Sequence, residues 1–271
     1  MNYICVTCGS QFTETPIPPK GCPICQDERQ YVGHDGQKWT ILIELKRDYR
    51  NRVQQLEPKL YGVGTEPRFA IGQRALLVCS SAGNLLWDCV SLIDDATVTE
   101  LNELGGVAAI AISHPHYYSS VVDWAAAFSA EVYLHAADRK WLMRPSKKVT
   151  FWEGERLELL GHTLLRVGGH FAGGTVCHWR AGANGLGALL TGDIIQVVSD
   201  RRYVSFMYSY PNLIPLSAAE VEVIRDAVEP HTFDRLYGAW WNAVVKTNAR
   251  ESVRLSAERY VGAIRKSAGS S

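Results

Sequence analysis

The chain has 271 residues, 46% of them hydrophobic, and its 28 basic residues balance 28 acidic ones. This length is enough for one sizeable α/β domain with a small appendage, and the balanced charge argues against nucleic acid or an anionic membrane as the main partner. No apolar run approaches the roughly 20 residues of a spanning helix. The N-terminal MNYICVTCGS lacks the basic head and apolar core of a signal peptide, so we expect a cytoplasmic protein with no membrane span.

Four of the seven cysteines lie in two tight pairs, CVTC and CPIC, within the first 31 residues. The paired thiols are those of Cys5, Cys8, Cys22 and Cys25. Two such knuckles can close a tetrahedral metal site, and so short a segment needs one because it cannot bury a core of its own. Residues 1–31 are therefore predicted to be a separate module with a structural Zn²⁺. The module resembles a zinc ribbon and, more loosely, a rubredoxin. An odd cysteine count with this pairing favours a reducing compartment over a disulfide framework.

The segments after the module alternate between strand-like and helix-like patterns. Apolar residues at helical spacing predict a helix over residues 41–56, ended by Pro58. Apolar runs bounded by Gly and Asn predict short strands after it. TVTELNELGG then predicts a helix with a glycine stop, and VAAIAIS predicts a buried strand. A helix at SVVDWAAAFSA, a strand at EVYLH and a short helix at DRKWLM are predicted next.

After residue 149 the pattern returns to strands and then to helices. Strands are predicted at RLELL, TLLRVGG, GTVCHW and GALLTGD, followed by a helix at LSAAEVEVIRDAV, a strand at FDRLYGAWW and a C-terminal helix over residues 246–267. This β-rich, α/β, β-rich, α/β order predicts two sheets that face each other with helices outside.

Residues that can bind a metal follow several of the predicted strands. Asp88 lies in LLWDC, His114 and His116 follow the apolar run of VAAIAIS, His170 follows RVGG, and Asp193 ends LLTGD. Strand ends followed by loops are where α/β folds place ligands and catalytic groups. Two histidines one residue apart can converge from a turning backbone, so these residues are candidates for one metal site.

The order strand aspartate, HxH, GGH and TGD resembles the metallo-β-lactamase superfamily over roughly residues 60–250. The resemblance implies an α/β (α+β) fold, the αββα sandwich, over residues 32–271, with a metal site between the sheets. It also implies individual roles. These are metal ligation by His114, His116, His170 and Asp193, and support of the metal loop, without metal binding, by Asp88.

Two departures from the family pattern remove residues that serve only a second metal ion. Tyr118 and Ser119 stand where the family has Asp and His, and residues 239–241 (AWW) occupy the turn where the family has a late histidine. The sequence therefore predicts a mononuclear site of three imidazoles plus Asp193 or a water. The sequence leaves open whether His231 substitutes for the late histidine of the family.

A zinc ion held by three imidazoles lowers the pKa of its bound water to about 7 and supplies a hydroxide nucleophile. We therefore predict a Zn²⁺-dependent hydrolase of a small-molecule ester, thioester, lactone or amide. Asp193 is the candidate proton acceptor. Tyr118 either donates a hydrogen bond to the developing oxyanion or fills the vacated second-metal position. His178 is a candidate support for a metal ligand.

Two other functions stay open at this point. A mononuclear non-haem Fe²⁺ oxygenase of the same fold would use histidines and a carboxylate around one ion. A binding or regulatory module would keep the fold without efficient chemistry. The sequence also leaves open the oligomeric state, a homodimer included, and the role of the N-terminal module, structural or partner-binding.

Overall fold

The computed structural model describes residues 1–268, with side chains for residues 1–265. Two compact units divide the chain, Met1–Trp152 and Glu153–Ser271. The predicted boundary at residue 31 stays a prediction, and residues 269–271 of the predicted second domain lie outside the described residues. Among the described residues, no helix combines the length and the apolar character needed to cross a membrane.

The cysteine-rich N-terminal segment contains only short regular elements. Strand β1 (Tyr3–Cys5) pairs antiparallel with β2 (Trp39–Ile41), and helix α1 (Pro23–Gln26) carries the second cysteine pair. Ile4 packs in a small buried cluster that includes Leu92. Elements this short bury little apolar surface, and the expectation that the segment needs a metal on its cysteines for stability stays a prediction.

A seven-stranded sheet, with its strands in chain order, organises the unit Met1–Trp152. The strands are β3 (Arg50–Glu57), β4 (Leu60–Glu66), β5 (Arg74–Val78), β6 (Leu85–Trp87), β7 (Ala109–Ala111), β8 (Glu131–His135) and β9 (Val149–Trp152). Neighbours from β3 to β6 are antiparallel, and those from β6 to β9 are parallel. Since parallel strands end at one edge, the residues that follow β6 and β7 lie side by side.

The predicted helix over residues 41–56 is wrong beyond residue 48. Helix α2 (Leu42–Asp48) forms, but Arg50–Glu57 is strand β3 and pairs with β4 along its length. Lys59, in the turn between these strands, takes a left-handed conformation with φ of 69°. The apolar residues of this stretch fit either period, and pairing with a neighbouring strand satisfies backbone groups that a short isolated helix holds only marginally.

The two helices predicted on either side of VAAIAIS are confirmed as α3 (Asp95–Glu103) and α4 (Val121–Phe128). The Asp94 carboxylate caps α3 by accepting a hydrogen bond from the Thr97 amide at 2.8 Å. Helix α4 is anchored by the buried Trp124, whose indole N–H donates to the Val90 carbonyl at 2.9 Å. Because α4 begins just after the loop with His114 and His116, this anchoring determines where that loop ends.

A six-stranded sheet organises the described part of Glu153–Ser271. Its strands, in spatial order, are β10 (Arg156–Leu159), β11 (His162–Arg166), β12 (Thr175–Trp179), β13 (Ala188–Gly192), β18 (Arg235–Gly238) and β19 (Val244–Val245). Two small antiparallel ribbons lie between β13 and β18 in the chain: β14 (Gln196–Val197) with β15 (Val204–Ser205), and β16 (Met207–Ser209) with β17 (Ile214–Pro215). Strands β11, β13 and β18 run in the same direction, so the residues that follow them leave one edge of the sheet.

Two helices cover one face of this second sheet. Helix α5 (Ala218–Val228) begins with a capping box, in which Ser217 and Glu220 each bond the other's backbone amide. Helix α6 (Ala249–Ala268) is the predicted C-terminal helix. Both contribute to a buried core that includes Leu165 and Leu189 on the strands.

Candidate metal centres

The four N-terminal cysteines lie together as the sequence predicts. Their sulfur atoms lie within 4.8 Å of one another, with 3.5 Å between Cys5 and Cys25 and 3.6 Å between Cys8 and Cys22. All four are buried and none forms a disulfide. Gln37 bridges the two pairs, because its amide donates to Cys5 Sγ at 3.2 Å and accepts from the Cys22 amide at 3.2 Å. The donor set and its spacing fit a tetrahedral zinc ion.

The close packing of these thiols shifts the pKa of Cys5 in one direction and the pKa values of Cys8 and Cys25 in the other. Hydrogen bonds from the neighbouring thiols, that of Cys22 first, lower the pKa of Cys5 far below its ordinary value. The same shared hydrogen bonds, together with burial, raise the pKa of Cys8 and of Cys25. One thiolate is therefore favoured, whereas further thiolates need a cation beside them. A divalent metal supplies that charge, which agrees with a metal-binding role for the cluster.

The His-x-His pair follows β7, where an Asp88 contact shapes the backbone. His114 and His116 are buried, with ring centroids 5.2 Å apart. The Ser113 hydroxyl lies 2.9 Å from His114 Nδ1, and the Ser113 amide donates to Asp88 Oδ1 at 2.7 Å. Asp88 therefore contacts the backbone beside His114; its predicted support of the metal loop stays a prediction. Ser113, which sequence reasoning missed, is signalled only by its adjacency to His114.

His170 leaves the edge of the second sheet through two glycines with positive φ. Gly169 has a φ of 75°, and a Cβ atom there would lie 2.8 Å from Ile224 Cδ1 on α5, so a side chain would be strained by the backbone and would require Ile224 to shift. The His170 Nδ1–H donates to the Tyr208 carbonyl at 2.7 Å. This bond selects the tautomer in which Nε2 carries the lone pair that a metal ligand needs.

One ring nitrogen from each of His114, His116 and His170 belongs to a single group whose ligand atoms lie within 4.8 Å of one another. All three side chains are buried. Three buried imidazoles, one of them oriented by a carbonyl through its other nitrogen, are a donor set suited to Zn²⁺.

The two candidate catalytic side chains, Asp193 and Tyr118, are both buried, and Tyr118 is two residues beyond His116 in the chain. Asp193 directly follows β13, and Tyr210 donates to its backbone carbonyl at 2.7 Å. Burial, and secondarily the charge of Asp138, raise the pKa of Tyr118 well above its ordinary value. Tyr118 is therefore a protonated phenol at neutral pH, able to donate a hydrogen bond but not to act as a base.

The other candidates lie elsewhere in the second unit. His178 is on β12, and its Nε2–H donates to the Thr232 carbonyl at 2.9 Å. Its ring centroid is 4.9 Å from that of His231. Trp240, in the turn after β18, packs on the core below the second sheet. The proposed support of a metal ligand by His178 stays a prediction.

Burial of His162 makes stability depend on pH. This side chain is 2% exposed, and neither ring nitrogen has a partner among the described residues. Burial lowers its pKa from the ordinary 6.5 to about 4; Glu158 opposes this shift and His178 adds to it. The unfolded chain therefore binds the proton first, and the folded state loses stability as pH falls from 6.5 towards 4.

Between pH 7 and pH 4, protonation of His162 is expected to lower the free energy of unfolding of the wild type by about 3 kcal/mol, since one pKa unit corresponds to about 1.4 kcal/mol. We expect His162→Leu to lack this loss. Urea unfolding of wild type and variant at intervals from pH 7 to pH 4 gives the difference directly. His34→Leu, which replaces an exposed histidine, is the matched control. Parallel curves for the wild type and His162→Leu would contradict the assignment.

Comparison with known proteins places these features in a family. Over 265 residues the chain is 53% identical to the uncharacterized protein YmaE of Bacillus subtilis (strain 168), covering 97% of this chain and 96% of that protein. The chain belongs to the YmaE family. No family model matches the chain.

Solved structures similar to this member of the YmaE family are metallo-β-lactamases. The DIM-1 metallo-β-lactamase aligns with a TM-score of 0.59 and 14% identity over 78% of this chain and 98% of that one. A B3 metallo-β-lactamase with an active-site glutamic acid aligns with a TM-score of 0.54 and 16% identity, over 83% of this chain and 94% of that one. The chain has the metallo-β-lactamase fold, which confirms the predicted fold class.

Proposed function

We propose that this protein is a metal-dependent hydrolase with one Zn²⁺ ion on His114, His116 and His170. The observation that carries this proposal is the group of three buried imidazoles, each of which offers a nitrogen within 4.8 Å of the others. When bound, the metal lowers the pKa of a coordinated water to about 7 and polarises a carbonyl oxygen. Substrates with an activated carbonyl fit this chemistry: esters, thioesters, lactones or amides.

The protein's own residues serve this reaction in separate ways. Ser113 and the Tyr208 carbonyl hold the rings of His114 and His170 through their Nδ1 atoms, which leaves Nε2 for the ion. Asp193, buried at the end of β13, is the proposed acceptor of the proton released by the nucleophilic water. Tyr118, protonated at neutral pH, is the proposed donor to the oxyanion.

The donor set favours zinc over iron. Non-haem Fe²⁺ oxygenases typically use two histidines and one carboxylate, whereas the group of close ligand atoms consists of three histidines. Metal analysis of the chain, purified without added metal, tests this directly. We expect two equivalents of zinc, one on the cysteines and one on the histidines, and hydrolysis of some members of a panel of esters, thioesters and lactones. One equivalent of iron, with no hydrolysis of the panel, would contradict the proposal.

Substitution of Tyr118 by Phe separates its two proposed roles. A phenol that donates to the oxyanion contributes to the transition state alone, so we expect kcat to fall roughly 10²–10³-fold with metal content unchanged. Phe fills the same volume, so a tyrosine that only occupies space would leave kcat unchanged. Tyr133→Phe, on a half-buried tyrosine of β8, serves as the control.

A further inference from the structure

Gln11 of the cysteine-rich segment touches the end of the loop that carries His114 and His116. Its backbone N–H donates to the Ser119 carbonyl at 3.0 Å, and its side-chain amide donates to Asp123 Oδ2 at 2.7 Å. Gln11 is 4% exposed, although it is polar and lies in a segment with little regular structure. The two bonds hold the chain on either side of the start of α4, at Ser119 before the helix and at Asp123 in its first turn.

Arg144 completes this arrangement. Its guanidinium donates to Gln11 Oε1 and to Asp123 Oδ1, the latter at 2.5 Å. Gln11, Asp123 and Arg144 therefore form a closed set of three hydrogen bonds, which we term the Gln11 clamp. Asp123 and Arg144 are about three-quarters buried, with exposed side-chain fractions of 24% and 22%. Partial burial strengthens these charge-assisted bonds and orients the Gln11 amide.

The backbone that Gln11 contacts has an unfavourable conformation at Ser119. Ser119 has a φ of 44°, in the left-handed region that a non-glycine residue enters at a cost of about 1 kcal/mol. A second amide, that of Gln73, donates to the Ser119 hydroxyl at 3.1 Å. Ser119 is three residues from His116, so a change in its conformation would move the imidazole.

The position of Gln11 depends in turn on the first cysteine knuckle. The Cys5 amide donates to the Ser10 carbonyl at 3.0 Å and the Gly9 amide donates to the Cys5 carbonyl at 2.8 Å. Ser91 lies three residues beyond Asp88, and its hydroxyl donates to the Gly9 carbonyl at 2.7 Å. The knuckle therefore contacts both loops that shape the His114 end of the histidine group. A knuckle closed by a metal presents Gln11 in one position.

We infer that Gln11 is a positioning residue for the histidine metal site. Through Gln11, the cysteine segment, once closed by its own metal, raises the affinity of the three histidines for their ion. The inference rests on the proposed function in that the histidines bind a metal. Loss of contacts that orient metal ligands typically reduces metal affinity roughly 10–100-fold, and we expect that range for loss of the Gln11 clamp.

Cobalt titration of the full chain tests this inference. Protein with one equivalent of zinc on the cysteines is titrated with Co²⁺, whose visible spectrum reports a histidine environment and whose near-ultraviolet charge-transfer bands report thiolates. Gln11→Met keeps the backbone bond to Ser119 and the side-chain volume but loses the amide. We expect its Kd for Co²⁺ at the histidines to rise roughly 10–100-fold, with zinc content and melting temperature retained. Gln26→Met, on an exposed glutamine of the same segment, is expected to match the wild type.

The outcomes separate the inference from the proposed function. An unchanged Kd in Gln11→Met overturns the inference alone. Failure of the wild type to bind cobalt at the histidines overturns the proposed function and the inference with it. If Gln11→Met loses its zinc, Arg144→Met removes the clamp from outside the cysteine segment and is expected to raise the same Kd; an unchanged value there also overturns the inference.

Discussion

Cys22→Ser is expected to cost the protein one equivalent of zinc and the structure of its N-terminal segment. Apparent binding free energies of structural zinc are about 10–16 kcal/mol in small zinc-finger peptides, where the metal drives folding. The segment here also has contacts with the rest of its unit, such as Ile4 with Leu92, so only part of that energy is lost. We expect at least about 3 kcal/mol of destabilisation, or a fall in melting temperature of roughly 6–12 °C.

Metal analysis and thermal unfolding measure the two effects of Cys22→Ser. Cys79→Ser, which changes a half-buried cysteine outside the cluster, is the matched control and is expected to keep both zinc content and melting temperature near those of the wild type. Retention of both zinc equivalents by Cys22→Ser would show that the four cysteines are not a metal site.

His116→Ala is expected to abolish hydrolysis while the fold and the cysteine-bound zinc are retained. The substitution removes one of the three imidazoles that would hold the ion, and with the ion the positive charge that would acidify a bound water. We expect turnover of the best panel substrate to fall roughly 10³-fold or more, with loss of one metal equivalent. Parallel measurements of kcat, metal content and far-ultraviolet circular dichroism separate loss of the site from unfolding.

His178→Ala is the matched control for His116→Ala. His178 is also a buried histidine near a strand end, but its Nε2–H is bonded to the Thr232 carbonyl. As a candidate support for a metal ligand, it is expected to keep both metal equivalents and to lose at most roughly 10–100-fold in turnover, which is less than the loss in His116→Ala. Equal losses of metal in the two variants would instead assign His178 a direct part in the site.

The local pattern of the sequence was enough to predict most strands and helices and both candidate metal sites. Close cysteine pairs and a His-x-His pair after an apolar strand are signals carried by neighbouring residues, so they can be read without a structure. The predicted helix over residues 41–56 is wrong beyond residue 48 because the contacts that decide this stretch are not local. Its apolar spacing fits either period, and the hydrogen bonds that decide between helix and strand come from β4, a different segment of the chain.

The candidate ligands could be named from the sequence itself, because coordination chemistry depends on residue type and short spacing: four thiols in two knuckles, and imidazoles at residues 114, 116 and 170. The tertiary structure alone decided which distant residues contact the segments that carry these candidate ligands. Gln11, Asp123 and Arg144 are separated by as many as 133 residues, and a glutamine, an aspartate and an arginine carry no local pattern. Their contact exists because the folded unit brings distant backbone segments within hydrogen-bonding distance, and no sequence period encodes that.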